Sequence, residues 1–331
     1  MRDIDVTAMG ELLIDFACKS MDDAGYPTLA ANPGGAPGNF LAALSSYGCS
    51  TAMIGKVGAD KFGDLLVGTL KQRGIETCGV VQDPKVFTTL AFVTLDETGN
   101  REFSFARKPG ADTKLRYEEI DRSLIKDCRV FHFGTLSMTT EPARTATIKA
   151  VEYAHRMGRL VSFDPNLRLP LWADPEDAKK AMLWGLGQAD IIKMSDEEVE
   201  FLWGITPEQA APMLIKSYSA GMVYITLGPK GCYFANMRGH GVVASPEGIH
   251  VVDTTGAGDI FGGSAMSEFI KLHRHVDNVE PEEAAKLVQY ACTAASLATQ
   301  SYGGISSIVP EAEVRAHLQD AKILSVEHDK F

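Results

Sequence analysis

The stretch Asp253-Thr254-Thr255-Gly256-Ala257-Gly258-Asp259 follows a β-like run, Gly248–Val252, and opens a small-residue helix, Ile260-Phe261-Gly262-Gly263-Ser264-Ala265-Met266. Backbone N–H groups at a helix start have no partner within the helix and carry the positive end of its dipole. With no bulky side chain on Gly256, Ala257 or Gly258, these amides make an anion site. An aspartate inside such a site repels a bound phosphate. Asp259 therefore reads as a base, set where a hydroxyl attacks phosphorus.

Outward from this loop, short β-branched runs alternate with amphipathic Ala- and Leu-rich stretches. Strands are expected at Val6–Met9, Thr51–Val57, Val130–Leu136, Leu160–Asp164, Ile191–Met194, Met222–Leu227, Cys232–Asn236 and Gly241–Ala244. Helices are expected at Asn39–Tyr47, Asp60–Arg73, Glu141–Met157, Pro175–Gly187, Asp196–Trp203, Pro207–Ser219, Ala257–Leu272 and Pro281–Thr299. The alternation implies a mainly parallel sheet covered on both faces. With no repeat, low-complexity tract or linker, residues 1–331 read as one α/β domain.

Two segments break the pattern. Thr88–Asp96 and Glu102–Arg107, joined by Glu97-Thr98-Gly99-Asn100, read as a β-hairpin. Leu12–Cys18 and Tyr26–Asn32 would add strands to the same small sheet. Segments near 12–35 and 86–110 thus form a β-sheet lid, suited to closing over a ligand and excluding water.

Chemistry-bearing residues gather at strand ends: Gly10-Glu11, Gly134, Asp164, Lys193-Met194-Ser195 and Gly228. The C-terminal edge of a parallel sheet is where ligands bind. Gly34-Gly35-Ala36-Pro37-Gly38-Asn39 precedes a helix, with Asn39 suited to capping it and to contacting a ligand; an ordinary Gly/Pro turn reads the same way. Asp15, amid apolar residues, suits sugar hydroxyls or a strand end facing water. Arg168, in Asp164-Pro165-Asn166-Leu167-Arg168, follows a common turn and would neutralise phosphate or close on substrate. Ser195-Asp196-Glu197-Glu198 suits a helix cap or a hydrated Mg²⁺. Thr226-Leu227-Gly228-Pro229-Lys230-Gly231-Cys232 joins two strands as a hairpin turn or a nucleotide platform.

Composition narrows the partners. The 331 residues are 45% hydrophobic and 23% charged, with a formal net charge of −11 and no basic stripe, which argues against nucleic acid and anionic membranes. Six scattered cysteines, without a C-x-x-C pair, suit reduced thiols in a cytoplasmic protein. The start Met1-Arg2-Asp3-Ile4-Asp5 is too acidic for a signal peptide, and no apolar run approaches the roughly 20 residues of a membrane span. No G-x-x-x-x-G-K-S/T motif occurs, since Gly55-Lys56 is followed by Val57, so a P-loop is excluded. Gly256-x-Gly258-x-x-x-Gly262 superficially matches a dinucleotide fingerprint, but Asp259 within it opposes a pyrophosphate.

Together the Gly34-Gly35…Asn39 and Asp253–Asp259 segments resemble the two signatures of the PfkB/ribokinase-like carbohydrate kinases, with a likeness running along the whole chain. Arg101–Asp112, His132–Ser137 and Asp164–Arg168 look most like bacterial-type fructokinases. The resemblance implies a ribokinase-like three-layer α/β/α fold with a small lid, and ATP-dependent phosphorylation of a primary sugar hydroxyl. Fructose leads, with ribose or 2-keto-3-deoxygluconate as alternatives; a catalytically silent sugar-binding protein on the same fold is a further one.

By this resemblance Asp259 is the base and the amides of Gly256, Ala257 and Gly258 the anion hole. Asp15, Gly34, Gly35 and Asn39 would hold the sugar, with Arg107 and Arg168 closing on it. Lys193, Thr226, Gly228 and Gly231 would line the nucleotide, with Cys292 and Ala295 flanking adenine. Glu198 would hold Mg²⁺ of Mg-ATP through water, in a motif where Ser195 replaces the usual Asn. Asp253, the Thr255 carbonyl and Ser307 would hold a monovalent cation such as K⁺, with Ser306 where proline is usual. The exposed lid implies a homodimer in which one lid covers another's edge.

Overall fold

The computed structural model describes residues 3–95 and 101–328. The expected alternation forms a large sheet built from β1 (Ile4–Met9), β4 (Thr51–Gly58), β5 (Glu76–Asp83), β8 (Cys128–Gly134), β9 (Leu160–Asp164), β10 (Ile191–Ser195) and β11 (Met222–Thr226). It is extended by β12 (Cys232–Asn236), β13 (Gly239–Ala244) and β14 (Lys322–Glu327). The order is β14-β13-β12-β11-β10-β9-β8-β1-β4-β5. Strands β11 through β5 run parallel, and β12, β13 and β14 pair antiparallel at one end.

Apolar residues on both faces of each central strand require cover on both sides. In β11, Met222 and Tyr224 face one core, while Val223 and Ile225 face the other. The first core is closed by α1 (Ala36–Ser46), α2 (Lys61–Gln72), α8 (Ala257–Lys271), α9 (Pro281–Ala298) and α10 (Glu311–Ala316). The second is closed by α3 (Arg122–Lys126), α4 (Ala143–Arg156), α5 (Pro175–Leu186), α6 (Asp196–Trp203) and α7 (Pro207–Tyr218). Three layers result, as expected.

The small sheet comprises β2 (Leu13–Met21), β3 (Pro27–Gly34), β6 (Thr89–Leu95) and β7 (Arg101–Ala106), in the order β3-β2-β6-β7. β2 and β6 pair in parallel, joining the two expected lid segments into one sheet. The expected turn Glu97-Thr98-Gly99-Asn100 lies outside the described residues.

Several local expectations are corrected. Gly248–Val252 is not a strand, because β14 already occupies the free edge of β13. It is a loop whose end is pinned by the Val252 and Asp253 amides, which donate to the Thr299 carbonyl at 2.8 and 2.9 Å. The strands β5 and β14 were not expected, since each lies at a sheet edge with several exposed side chains and lacks a long apolar run. β8 ends at Gly134 rather than Leu136, and a 3-10 turn follows at Leu136–Met138. Helix α1 begins at Ala36 rather than Asn39, because buried Glu11 accepts the Ala36 amide at 2.9 Å and Pro37 follows in the first turn. Asn39 is therefore inside the helix, not its cap, and its own amide bonds the Gly35 carbonyl at 3.0 Å.

Candidate active site

The C-terminal ends of β1, β8, β9, β10 and β11 deliver Glu11, Gly134, Asp164, Lys193 and Thr226 to one edge of the sheet, against the start of α8. At that start Gly256 is left-handed, with φ +75°, and a Cβ there would lie 2.9 Å from Gly304 Cα and 3.0 Å from Asn39 Nδ2. Only glycine fits both constraints. Asp253 braces the approach: one oxygen accepts the Thr255 amide and the other the Gly303 amide, each at 2.8 Å. The loop opening α8 is thereby stapled to the turn that holds Ser307, whose hydroxyl bonds the Gly304 carbonyl at 2.9 Å. The Ala257 amide donates to the Thr254 carbonyl at 3.2 Å, so one of the three expected anion-binding amides also closes the turn.

Asp259 is buried in the first turn of α8 and accepts a 2.8 Å hydrogen bond from Asn39 Nδ2. Burial, reinforced by the nearby Asp164 charge, pushes its pKa up to about 6, while Asn39, Lys193 and Arg168 act in the opposite direction. Behind it Lys193 Nζ pairs with Asp164 Oδ2 at 2.9 Å. Burial opposes the Lys193 charge, yet the carboxylates of Asp164, Glu198 and Asp259 prevail and raise its pKa above the usual lysine value. Glu198 forms a capping box with Ser195 and accepts the Leu167 amide at 2.8 Å, so it locks β10 to the turn after β9. Burial first, then Asp164, pushes its pKa up.

Two cavities meet at α8. The smaller, about 260 Å³, is lined by Asp15, Gly35, Asn39, Arg168 and Asp259, as the sequence anticipated. Burial, with Asp259 and Asp253 adding to it, raises the Asp15 pKa to about 7 against the pull of Arg168. Buried Asn39 Oδ1 has no hydrogen-bond partner among the described residues and packs against Gly304. The larger cavity, about 700 Å³, is lined by Thr226, Gly228, Gly231, Gly258, Cys292 and Ala295, together with apolar Pro229, Ile249, Val251 and Phe261. The hairpin turn at Gly228–Gly231 is thus also a cavity wall. Thr254 borders both spaces, with Asp259 on the smaller side.

Other expected residues lie elsewhere. Arg107 lines neither cavity; its guanidinium is 4% exposed and bonded to Asp112. Lys193 and Glu198 stand one layer behind the two spaces, and Gly34 lies against the Asp15 carboxylate without lining the cavity. Sequence reasoning put Glu11 at the ligand edge without a role, and missed Phe105, Leu136 and the loop Ser245–Val251 as walls. Only Glu11 carried a signal, as an acid just past a strand end. Glu11 is pushed up to about 7, chiefly by burial.

Among the described residues no group of three or more His, Cys, Asp or Glu side chains is placed to hold a metal ion. No described helix is long and apolar enough to cross a membrane. Cys49, Cys128, Cys232 and Cys292 are buried, and Cys18 and Cys78 are exposed.

Residues 3–312 match the pfkB family carbohydrate kinases. Fructokinase-1 of Zea mays is 39% identical over 322 residues, covering 96% of this chain and 98% of the maize protein. The structure of a fructokinase with bound ATP from Xylella fastidiosa superposes with a TM-score of 0.88 at 28% identity, covering 96% of this chain and 99% of that one. A fructokinase from Vibrio cholerae O395, in fructose, ADP and calcium ion bound form, superposes with a TM-score of 0.84 at 29% identity, covering 96% of this chain and 100% of that one. The chain belongs to the pfkB family of carbohydrate kinases.

Proposed function

We propose that this kinase transfers the γ-phosphoryl group of ATP to a primary hydroxyl of D-fructose. The observation that carries this is the position of Asp259, a buried carboxylate at the junction of a small polar cavity and a larger apolar one. The first is sized for a monosaccharide and the second for a nucleotide. Fructose is favoured because the maize and V. cholerae relatives are fructokinases and the latter was solved with fructose and ADP.

Asp15 and Asn39 hold sugar hydroxyls in this reading, with Arg168 at the rim. Asp259 accepts the hydroxyl proton as the new O–P bond forms, and the leaving oxygen departs with ADP. The amides of Gly256 and Gly258 face the charge on the transferring group in this reading, with the Ala257 amide closing the turn beside them, so the donors stabilise the charge without reorganising. Lys193 adds a cation beside Gly258: its Nζ lies 2.9 Å from where a Gly258 Cβ would stand. Thr226, Gly228, Gly231, Cys292 and Ala295 wall the nucleotide.

Mg²⁺ bound with the nucleotide neutralises phosphate charge. Glu198 would hold it only through water, since it is buried, lines neither cavity, and each of its oxygens already accepts a backbone amide while keeping a second lone pair. A monovalent cation is assigned to Asp253, the Thr255 carbonyl and Ser307, which the Asp253–Gly303 bond brings onto adjoining turns. The lid edge β3, with Leu29 and the neighbouring Tyr26 and Met21 exposed, is assigned to a second copy of the chain in a homodimer. The protein is placed in the cytoplasm.

An ADP-release assay over a sugar panel tests the substrate. Fructose should give the highest kcat/KM; ribose or 2-keto-3-deoxygluconate above it would overturn the assignment, and sugar binding without turnover would make the chain a sugar-binding protein.

A further inference from the structure

One buried ion pair holds both roots of the lid hairpin. β6 leaves the body at Thr89, and the chain re-enters it at Arg107, just past β7. The Arg107 guanidinium turns inward, where Nε and Nη2 donate to Asp112 Oδ2 at 2.8 and 2.6 Å. Nη1 donates to Thr139 Oγ1 and Nη2 to the Leu136 carbonyl, each at 2.9 Å. The second Asp112 oxygen accepts the Thr89 hydroxyl at 2.5 Å. Both partners are almost fully buried, at 4% and 2% side-chain exposure.

What this pair connects gives it a role. Phe105, two residues before Arg107 on β7, and Leu136 both line the sugar cavity, one from the lid and one from the body. Arg107 reaches from the strand that carries Phe105 to the carbonyl of Leu136. The β6 root has its own anchor, since the Thr88 amide and hydroxyl donate to Asp60, the cap of α2, at 2.8 and 2.9 Å. The charges of Arg107 and Asp112 also reach Glu11, a third wall of the same cavity.

We infer that Arg107 and Asp112 are positioning residues that form the pivot of the lid: they set the angle at which the Phe105 strand meets Leu136, and so the fit of the sugar, without touching it. A guanidinium suits this task because its donors point in fixed directions and bind several acceptors at once, which a lysine ammonium does not reproduce. The inference rests on the sugar-kinase reading above. It differs from the expectation that Arg107 itself closes on substrate.

The test is steady-state kinetics of the full-length protein and its Arg107→Lys, Asp112→Asn and Thr139→Val variants, with the sugar that the wild type phosphorylates best. Wild-type turnover is measured first, so failure of the sugar-kinase reading appears there and not in the variants. In each variant the readouts are KM for sugar, KM for ATP, ADP release without sugar, and the thermal midpoint. Arg107→Lys and Asp112→Asn should raise the sugar KM about tenfold or more, with the ATP KM within about twofold, since a misplaced wall degrades orientation more than nucleotide binding. Thr139→Val should show the same split more weakly, and sugar-independent ADP release should become a larger share of turnover as the lid seals less well. Thr139→Val keeps the ion pair, so it decides the matter if the other two variants do not fold. A raised sugar KM in Arg107→Lys alone would mean direct sugar contact and would overturn the pivot. So would lowered thermal midpoints with unchanged KM values, or with sugar and ATP KM rising together.

Discussion

Asn39 Nδ2 donates to Asp259 Oδ2 over 2.8 Å, joining residues 220 positions apart. The bond ties α1, which follows β3 of the small sheet, to the start of α8. It steadies a carboxylate whose ionised form is disfavoured by burial and by the neighbouring Asp164 charge. Two signature segments that the sequence presents separately therefore act as one unit.

Asp259→Asn removes the proton acceptor and keeps the shape. The expected result is a fall in kcat of about 10²–10⁴, the usual contribution of a general base, with KM for sugar and ATP little changed. Steady-state kinetics on protein with an unaltered thermal midpoint checks this. Turnover near wild type would remove Asp259 from the base role.

Asp259 must be ionised to accept a proton, and its pKa is raised to about 6. The kcat profile should therefore fall as pH drops through about 6. Asn39 holds the pKa down, so Asn39→Ala should move this acidic limb to higher pH. A limb that stays in place, measured from pH 5 to 8, would separate the Asn39 bond from the titrating group.

Glu11 has a folded-state pKa raised to about 7 from an ordinary 4.5, chiefly by burial. The folded state then holds a proton that the unfolded state gives up, so this group's contribution to stability falls as pH rises from about 4.5 to 7. Glu11→Gln imitates the protonated form and keeps an acceptor for the Ala36 amide. It should raise the free energy of unfolding at pH 8, by at most about 3.4 kcal/mol, with the advantage shrinking towards pH 5. Denaturant melts at both pH values check the sign, and an equal effect at both would show that Glu11 does not titrate in this window.

Ala295 borders the larger cavity from α9. Ala295→Trp should fill part of it, and overpacking of about 1–3 kcal/mol corresponds to a rise of roughly 5- to 150-fold in KM for ATP. The sugar KM should stay within about twofold of wild type. Equal rises in both would mean that this cavity does not hold the nucleotide.

Much of the site was legible because its signals are local. The Gly256–Asp259 loop, the strand-end residues and the Ser195 helix cap each follow from neighbouring residues. Strand ends also fall on one edge by topology alone, so Asp164 and Thr226 could be placed there without coordinates. The edge strand β14 was not legible, because exposed side chains leave it without an apolar run.

Arg107 shows where local reading stops. An arginine at the foot of a lid strand suits a substrate contact, and nothing nearby in sequence shows that Asp112, Leu136 and Thr139 already engage it. Glu11 likewise stood at a strand end as an unassigned acid, until the fold set it against the Ala36 amide and inside a cavity. The sequence by itself determined the layered sheet and the glycine loop that starts α8 with Asp259 in its first turn, because hydrophobic period, glycine and helix start act over a few residues. The tertiary structure alone decided which charged groups face substrate and which hold the protein together. A buried charge must be matched by whatever packs against it, and for Arg107 that set joins near Asp112 to distant Leu136 and Thr139, a combination only the fold assembles.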